Sequence, residues 1–452
     1  MHDDLRSAVS ADMPRLTELL KTLIRMKSVS AHGYDPAGVR EAGEAIVAML
    51  DDQGFANARL LESSNGNPAV FGEIPAPDGA PTVLLYAHYD VQPPGPSDEW
   101  DSGPFDPVEI GGRVHGRGSG DDKGGIVMHL GAIAAHGDQL PVGVQLFFEG
   151  EEEAGSEGLP EILENNSDLL HPDVIVIGDG GLWDQETPCL LTTLRGVVGV
   201  KIELRTLTGA VHSGHAGGIV PDALMALSRL LATLHNDDGT VAIPGILSEE
   251  RADAVPLPEE FIRAEANAIE GLELIGEGSF ASRIWSRPAV SVLAIDAPPV
   301  AEAINQLVPV ARAKISMRIP PGQDSGEALQ ALKQHLIDNT PWGAELTFLY
   351  EESGEATTME TDNFAVDAWR EGFAAAFGNQ PVLIGEGGSI PFIANFKELY
   401  PDAPILVTGV ADSDSNYHAP NENVGIAQIE KAAVAEAVAF RILGAPRQVT
   451  DT

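Results

Sequence analysis

Leu16, Leu19, Leu20, Leu23 and Ile24 recur at the three-and-four spacing of a helix face, and residues 39–50 repeat the pattern. Two amphipathic helices are predicted there. Short apolar runs bounded by polar clusters follow at residues 69–72, 83–86, 144–148 and 174–177, each of strand length, while residues 124–136 read as a helix. Strands alternating with helices predict an α/β fold with a mostly parallel sheet covered by helices. In such sheets ligand sites gather at the carboxyl ends of the strands. Three polar clusters fall there: AHYD after VLLY, EGEEE after VQLFF, and GDGG after VIVI.

The rhythm changes near residue 196. Strand-like patterns at 197–204, 291–295, 311–319 and 346–350, with helical ones at 220–235 and 326–337, give the order βαββαβ of a small ferredoxin-like domain. Residues 237–290 interrupt it with an acidic, proline-rich insertion that has no clear periodicity. Alternation returns after residue 355, with a helix at 365–377, a strand at 405–408 and a closing helix at 426–443. The predicted architecture is one α/β domain, residues 1–195 and 353–452, interrupted by an inserted domain at 196–352. No internal repeat or low-complexity tract is present.

Composition narrows the class. The chain has 452 residues, more than one hydrophobic core usually organises, which agrees with two domains. Lys and Arg total 27 against 68 Asp and Glu, a formal charge of −41. That balance excludes broad contact with nucleic acid or anionic membrane. The carboxylates are spread along the chain as a solvated surface would require, with salt adaptation of the host as the alternative. Cys189 is the single cysteine, so no intrachain disulfide can form, and a reducing compartment is expected. It reads as a small buried residue. The stretch MHDDLRSAVSADMPR has no apolar run behind a basic one, and no run of about eighteen apolar residues occurs. A cytoplasmic chain without a membrane partner is expected.

Some polar residues at the strand ends suggest chemistry. His88 and Asp90 stand two apart just beyond a strand, where alternation sends both side chains to one side. GRGSGDDKGG, residues 116–125, is a glycine-rich turn opening a helix, but it has neither the Walker nor the dinucleotide spacing of a phosphate cradle. Zinc takes histidine nitrogen and carboxylate oxygen, and a two-metal site needs about five such ligands, one bridging cations ~3.5–4 Å apart. The chain offers His88, Asp121, a glutamate of 151–153, Asp179 in VIGDGG and His418 in SNYHAPNE, each in a loop after an apolar run. Any one alone reads as a surface carboxylate or an ordinary histidine. Five at successive strand ends of one domain favour a metal site.

YAHYDVQP, GRGSGDDKGG, FEGEEEAGSEG, VIGDGG, LRG, VHSGHAGG, GEGGSIP and YHAPNE together resemble the co-catalytic metallo-exopeptidases, the family of aminoacylase, carboxypeptidase G and succinyl-diaminopimelate desuccinylase. The resemblance spans about residues 15–445, and HYDVQP, WDSGPF and DDKGG look most like its carnosinase-like cytosolic dipeptidase branch. It implies two divalent cations, zinc first, with manganese or cobalt as alternatives. His88 and Asp179 would bind one, Glu153 and His418 the other, and Asp121 both. Glu152 would be the general base, and Asp90 would accept the second ring N–H of His88. Glu152 and Glu153 are chosen because the family places its working pair directly before a small residue and glycine, here Ala154 and Gly155; a shift to Glu151 and Glu152 is the alternative register. A cis peptide between Asp121 and Asp122 is also implied.

In the inserted lid and dimerisation domain, the resemblance implies that His212 donates to the oxyanion in the partner subunit of a homodimer. Arg318 would pair with the substrate carboxylate, with Gly388, Ser389 and Asn305 as further contacts. The proline in NQLVPVARAK falls one position later than the family pattern, which affects Asn305. His32, His115, His129, His136, His171, His235 and His335 match no motif position and are read as structural or exposed. The expected function is metal-dependent hydrolysis of dipeptides, or of closely related conjugates, with a free C-terminal carboxylate. An N-acyl-amino-acid amidohydrolase with the same chemistry is the alternative within hydrolases. A catalytically idle metal-binding protein is the alternative outside them, and retention of Glu152 argues against it.

Overall fold

A computed structural model of the chain describes residues 2–251, 255–388 and 391–446. Its contacts divide the chain into two units, one of Met1–Thr192, Met359–Leu383 and Phe392–Thr452, the other of Thr193–Thr358 and Ile384–Pro391.

The first unit opens with helix Asp3–Arg25, whose buried face is Leu5, Val9, Met13, Leu16, Leu20, Leu23 and Ile24. A second helix, Ala37–Asp52, follows. The central strands Gly143–Glu149, Thr82–His88, Val174–Asp184 and Ile405–Ala411 lie side by side and run parallel. They read as continuous apolar runs because helices cover both faces of a parallel sheet. Two antiparallel strands, Ala69–Ile74 and then Ala56–Leu61, extend one edge. Ala56–Leu61 escaped the sequence reading because its pattern is that of a half-solvated edge, with only Leu61 buried. Strand Val174–Asp184 runs well past the expected residue 177, carrying the polar GDGG into the sheet. Gly409 lies against Gly180 there, and a Cβ on Gly409 would collide with the Gly180 carbonyl, so the two strands approach as closely as glycine allows.

Helices Lys123–Ala134 and Ile426–Leu443 are buried along most of their length. Between them His129 is fully buried, its Nδ1 2.9 and 3.0 Å from the two Glu436 carboxylate oxygens and its Nε2 3.1 Å from the Tyr86 carbonyl. This contact ties both helices to the strand that ends in His88.

The second unit is a four-stranded antiparallel sheet in the order Ala289–Asp296, Val310–Ile319, Gly196–Arg205, Glu345–Gly354. With helices Ala223–Leu231 and Ser325–Asp338 this is the split βαβ arrangement. Alternation decides which face is covered, since Val198, Val200, Ile202 and Leu204 are buried together with Ile315, Met317 and Ile319. The first helix starts later than residue 220 because Asp222 caps it, accepting from the Met225 N–H at 2.9 Å. The insertion that showed no periodicity contains two short helices, Glu259–Glu265 and Phe280–Trp285. No helix among the described residues is long and apolar enough to cross a membrane.

Replacing Glu436 by Ala leaves the His129 Nδ1 without its partner in a site closed to water, which costs about 1–3 kcal/mol. A lowered urea midpoint by far-ultraviolet circular dichroism is expected, and an unchanged midpoint would contradict the structural role given to the pair.

Candidate metal centre

Strand register assembles the site. His88 pairs with Glu149 across the parallel ladder, and Tyr86 pairs with Ile177. Two residues further along each chain, Asp90, Glu151 and Asp179 therefore emerge at the same carboxyl-terminal edge. A short helical turn at Glu152–Ala154 then breaks the strand alternation and brings both glutamates round to that edge.

His88, Glu152 and Asp179 offer ligand atoms within 4.8 Å of one another, and so do His88, Asp121 and Glu153. Asp121 joins the two sides. Its Oδ1 lies 2.9 Å from His88 Nε2 and its Oδ2 lies 2.9 Å from His418 Nε2. His418 Nε2 is also 3.1 Å from Glu153 Oε2, and His88 Nε2 is 3.9 Å from Asp179 Oδ1. All five expected ligands and Glu152 thus converge in one unit. His88 is fully buried, whereas the side chain of His418 is 52% exposed on its loop and has a left-handed backbone, φ 60°.

Three consecutive residues of DDKGG do different work. Asp121 faces the histidines. Asp122 accepts from the Gly125 N–H at 3.2 Å as the helix cap, and from the His88 N–H at 3.4 Å. A Cβ on Gly125 would collide with that carboxylate, which accounts for the glycine. Lys123 Nζ donates to the carbonyls of Leu23 at 2.9 Å and Met26 at 3.0 Å, holding the end of the first helix. The peptide between Asp121 and Asp122 is cis, as the resemblance implies.

Asp90 does more than neighbour the imidazole. Its carboxylate lies 3.4 Å from His88 Nδ1 and its backbone carbonyl 3.0 Å. The carboxylate also accepts from the N–H groups of Glu152 at 3.2 Å and Glu153 at 3.0 Å, and from Ser30 Oγ at 2.6 Å. It clamps the backbone of the glutamate pair as well as neighbouring the imidazole. Gln92 was not singled out from the sequence, although it stands in the quoted HYDVQP; its Nε2 donates to Glu153 Oε2 at 2.8 Å. Its partner is 61 residues away, so no local pattern announces the contact. Glu149 and Glu151 are supporting residues rather than solvent-facing ones. Both are buried, and they accept from Tyr86 Oη at 2.7 Å and from the Gly158 N–H at 2.8 Å respectively.

Crowded carboxylates in a buried setting hold protons. Burial, then the charge of Asp179, pushes Glu152 up to about 9. Burial also lifts Asp179 to about 7, with Asp121 and Glu153 adding to it and His88 opposing. Hydrogen bonds that His418 donates to Asp121 and Glu153 raise it to about 10. For His88, burial works downward, but Asp121 and Asp90 outweigh it and hold the ring well above its ordinary value. Asp121 goes the other way: despite burial, His418 and His88 keep it below the usual carboxylate range. The donor set is imidazole nitrogen and carboxylate oxygen, the chemistry that borderline divalent cations prefer, with one carboxylate presenting an oxygen to each side. These residues fit a metal site.

The residues expected in the second unit are placed separately. His212 is exposed in the ribbon Val211–His212, paired with Gln306, and its Nδ1 accepts from the Gly214 N–H at 3.1 Å. Asn305 lies beside it, its carbonyl accepting from the Ser213 N–H at 3.0 Å. Arg318 is half-buried opposite Val197 in the sheet. Burial, then the charge of Arg318, lowers the neighbouring Arg195 to about 10. The Gly388 N–H donates to Glu386 Oε1 at 3.1 Å. Ser389 lies outside the described residues.

The sequence matches the family described as Peptidase family M20/M25/M40 over residues 84–439. It is 33% identical over 403 residues to a cysteinylglycine-S-conjugate dipeptidase of Corynebacterium striatum, covering 88% of each chain. It is 26% identical to a human Beta-Ala-His dipeptidase, covering 89% of this chain and 81% of the relative. Among solved structures, human carnosine dipeptidase 1 superposes with a TM-score of 0.78 at 22% identity, covering 98% of both chains, which shows a shared fold.

Proton binding at the site gives a sign to its pH dependence. Glu152, Asp179 and His418 all have folded values above their ordinary ones, so their contribution to stability is complete at low pH and is lost as pH rises through about 7 to 10. Asp121 has the opposite sign, but its change falls below the ordinary carboxylate range. Chelator-treated protein should therefore melt at a lower temperature at pH 8.5 than at pH 5.5, and divalent cation, which displaces these protons, should reduce the difference. Melting that rises with pH in chelator would contradict this electrostatic account.

Proposed function

The chain belongs to Peptidase family M20/M25/M40, and from that premise we propose that it is a dipeptidase using two divalent cations at the Asp121 cluster. It is a metal-dependent hydrolase of peptide bonds. The observation that carries the two-cation reading is Asp121, whose two carboxylate oxygens each face a different histidine at 2.9 Å. His88 and Asp179 would hold one cation, Glu153 and His418 the other, and Asp121 both. Zinc suits this donor set, and manganese or cobalt would also be accepted.

Bound cations would supply Lewis-acid polarisation of the scissile carbonyl and make an attacking water more acidic. Glu152, beside His88 and Asp179, would take the water proton and return it to the leaving amine. Asp90 and Gln92 hold Glu152 and Glu153 in place, so that little reorganisation is left for the reaction. We further assign to His212 of a second copy the stabilisation of the oxyanion, and to Arg318 the substrate carboxylate, with Asn305, Gly388 and Ser389 as secondary contacts. Preference for a free C-terminal carboxylate follows from a guanidinium in that role.

The relatives described above are dipeptidases, of cysteinylglycine conjugates in one case and of Beta-Ala-His in another, which supports a small peptide or peptide conjugate as substrate. No observation favours the N-acyl-amino-acid reading. The single cysteine, Cys189, supports a reducing, cytoplasmic setting.

Glu152→Gln should bind divalent cation as the natural chain does while kcat for dipeptides falls by about 10²–10⁴-fold, the usual contribution of a positioned acid–base group; turnover near the natural rate would remove Glu152 from its role. For His212, mixing inactive His212→Ala and Glu152→Gln subunits should restore part of the activity, because one site in the mixed dimer is then intact. No recovery would mean that each site is completed within its own chain.

A further inference from the structure

Glu422 has no role among the ligands, yet it is fully buried four residues after His418. Its Oε2 accepts from Arg117 Nη1 at 2.7 Å and from the Gly118 N–H at 2.9 Å. Its Oε1 accepts from the N–H groups of Gly120 at 3.0 Å and Asp121 at 3.2 Å, and its own carbonyl accepts from the Gly116 N–H at 2.8 Å. Every donor belongs to the glycine-rich turn that carries Asp121. Arg117 extends the connection, since its Nη2 donates to the Pro93 carbonyl at 3.2 Å, on the segment that follows His88, Asp90 and Gln92. A second strut fixes the other side: Asn423 pairs with His115, and its N–H donates to the Ser415 carbonyl at 2.8 Å.

A buried carboxylate is costly unless its lone pairs are filled by well-placed donors. Here four donors fill them, and all four lie in the loop of one ligand while the carboxylate lies in the loop of another. We propose that Glu422 is a positioning residue that sets the separation of Asp121 and His418, so that a single carboxylate reaches both cations. The inference rests on the reading of that cluster as a metal centre. Partners of this kind, one step behind the ligands, typically change metal affinity by about 10–100-fold.

The test is a Co²⁺ titration of chelator-treated protein, followed by equilibrium dialysis and by the visible absorption of the bound ion. In Glu422→Gln the amide can accept only through its oxygen and must turn its NH₂ toward groups that donate, so half of the network is lost. Co²⁺ affinity should fall about 10-fold or more, the visible spectrum should change, and in saturating metal kcat should fall while KM for a dipeptide stays within about threefold. Arg117→Lys, a milder change to the same network, should lower Co²⁺ affinity in the same direction, and it is decisive if Glu422→Gln does not fold. A lower melting temperature with unchanged Co²⁺ affinity and spectrum would make the network merely structural and overturn the inference, leaving the metal centre intact. Failure of the natural chain to take up Co²⁺ would overturn both.

Discussion

Four carboxylates, those of Asp121, Glu152, Glu153 and Asp179, crowd around two imidazoles at the end of a parallel sheet, and they cannot all be ionised without a compensating positive charge. Unit charges about 4 Å apart repel by several kcal/mol when water is largely excluded. Protons relieve the repulsion in part, as the raised proton affinities of Glu152, Asp179 and His418 show. Divalent cations would relieve it more completely, and the proposed chemistry depends on that exchange. Much of the surrounding structure serves to hold the cluster together. Asp90 grips the amides of the glutamate pair, Gln92 grips a carboxylate, and the buried His129–Glu436 contact ties two helices to the strand that delivers His88.

Local periodicity made the scaffold legible. The helix at the N-terminal end, the helix closing the chain and the central strands follow from apolar spacing alone, because burial on one helix face or both sheet faces leaves a direct imprint on sequence. The strand at Ala56–Leu61 and the small sheet of Val108–Ile110, Arg113–His115 and Asn423–Gly425 left little imprint, one being a half-solvated edge and the others only three residues long. The split βαβ order of the second unit was readable because its two central strands, Gly196–Arg205 and Val310–Ile319, largely alternate over a one-sided core.

The candidate metal centre was legible in kind from five polar clusters at strand ends, but not in register. EGEEE offers three adjacent glutamates, and the turn at Glu152–Ala154 abandons the alternation that would have ranked them; the choice of Glu152 and Glu153 came from the family resemblance. The supporting contacts were the least legible. Gln92 and Ser30 meet partners some sixty residues away, and Glu422 meets partners about three hundred residues away. No window along the chain can contain such a pair. The polar groups that made sense in sequence are those that would face a ligand; those that face one another needed the fold.

The central claim, that Asp121 serves two cations at once, is tested most directly by electron paramagnetic resonance of the chain loaded with two equivalents of Mn²⁺. Two ions sharing a carboxylate are exchange-coupled, so the account predicts a multiline spectrum with closely spaced hyperfine lines, collapsing in Asp121→Asn to the signal of isolated ions. A natural chain that shows only isolated-ion Mn²⁺ at full loading would contradict it.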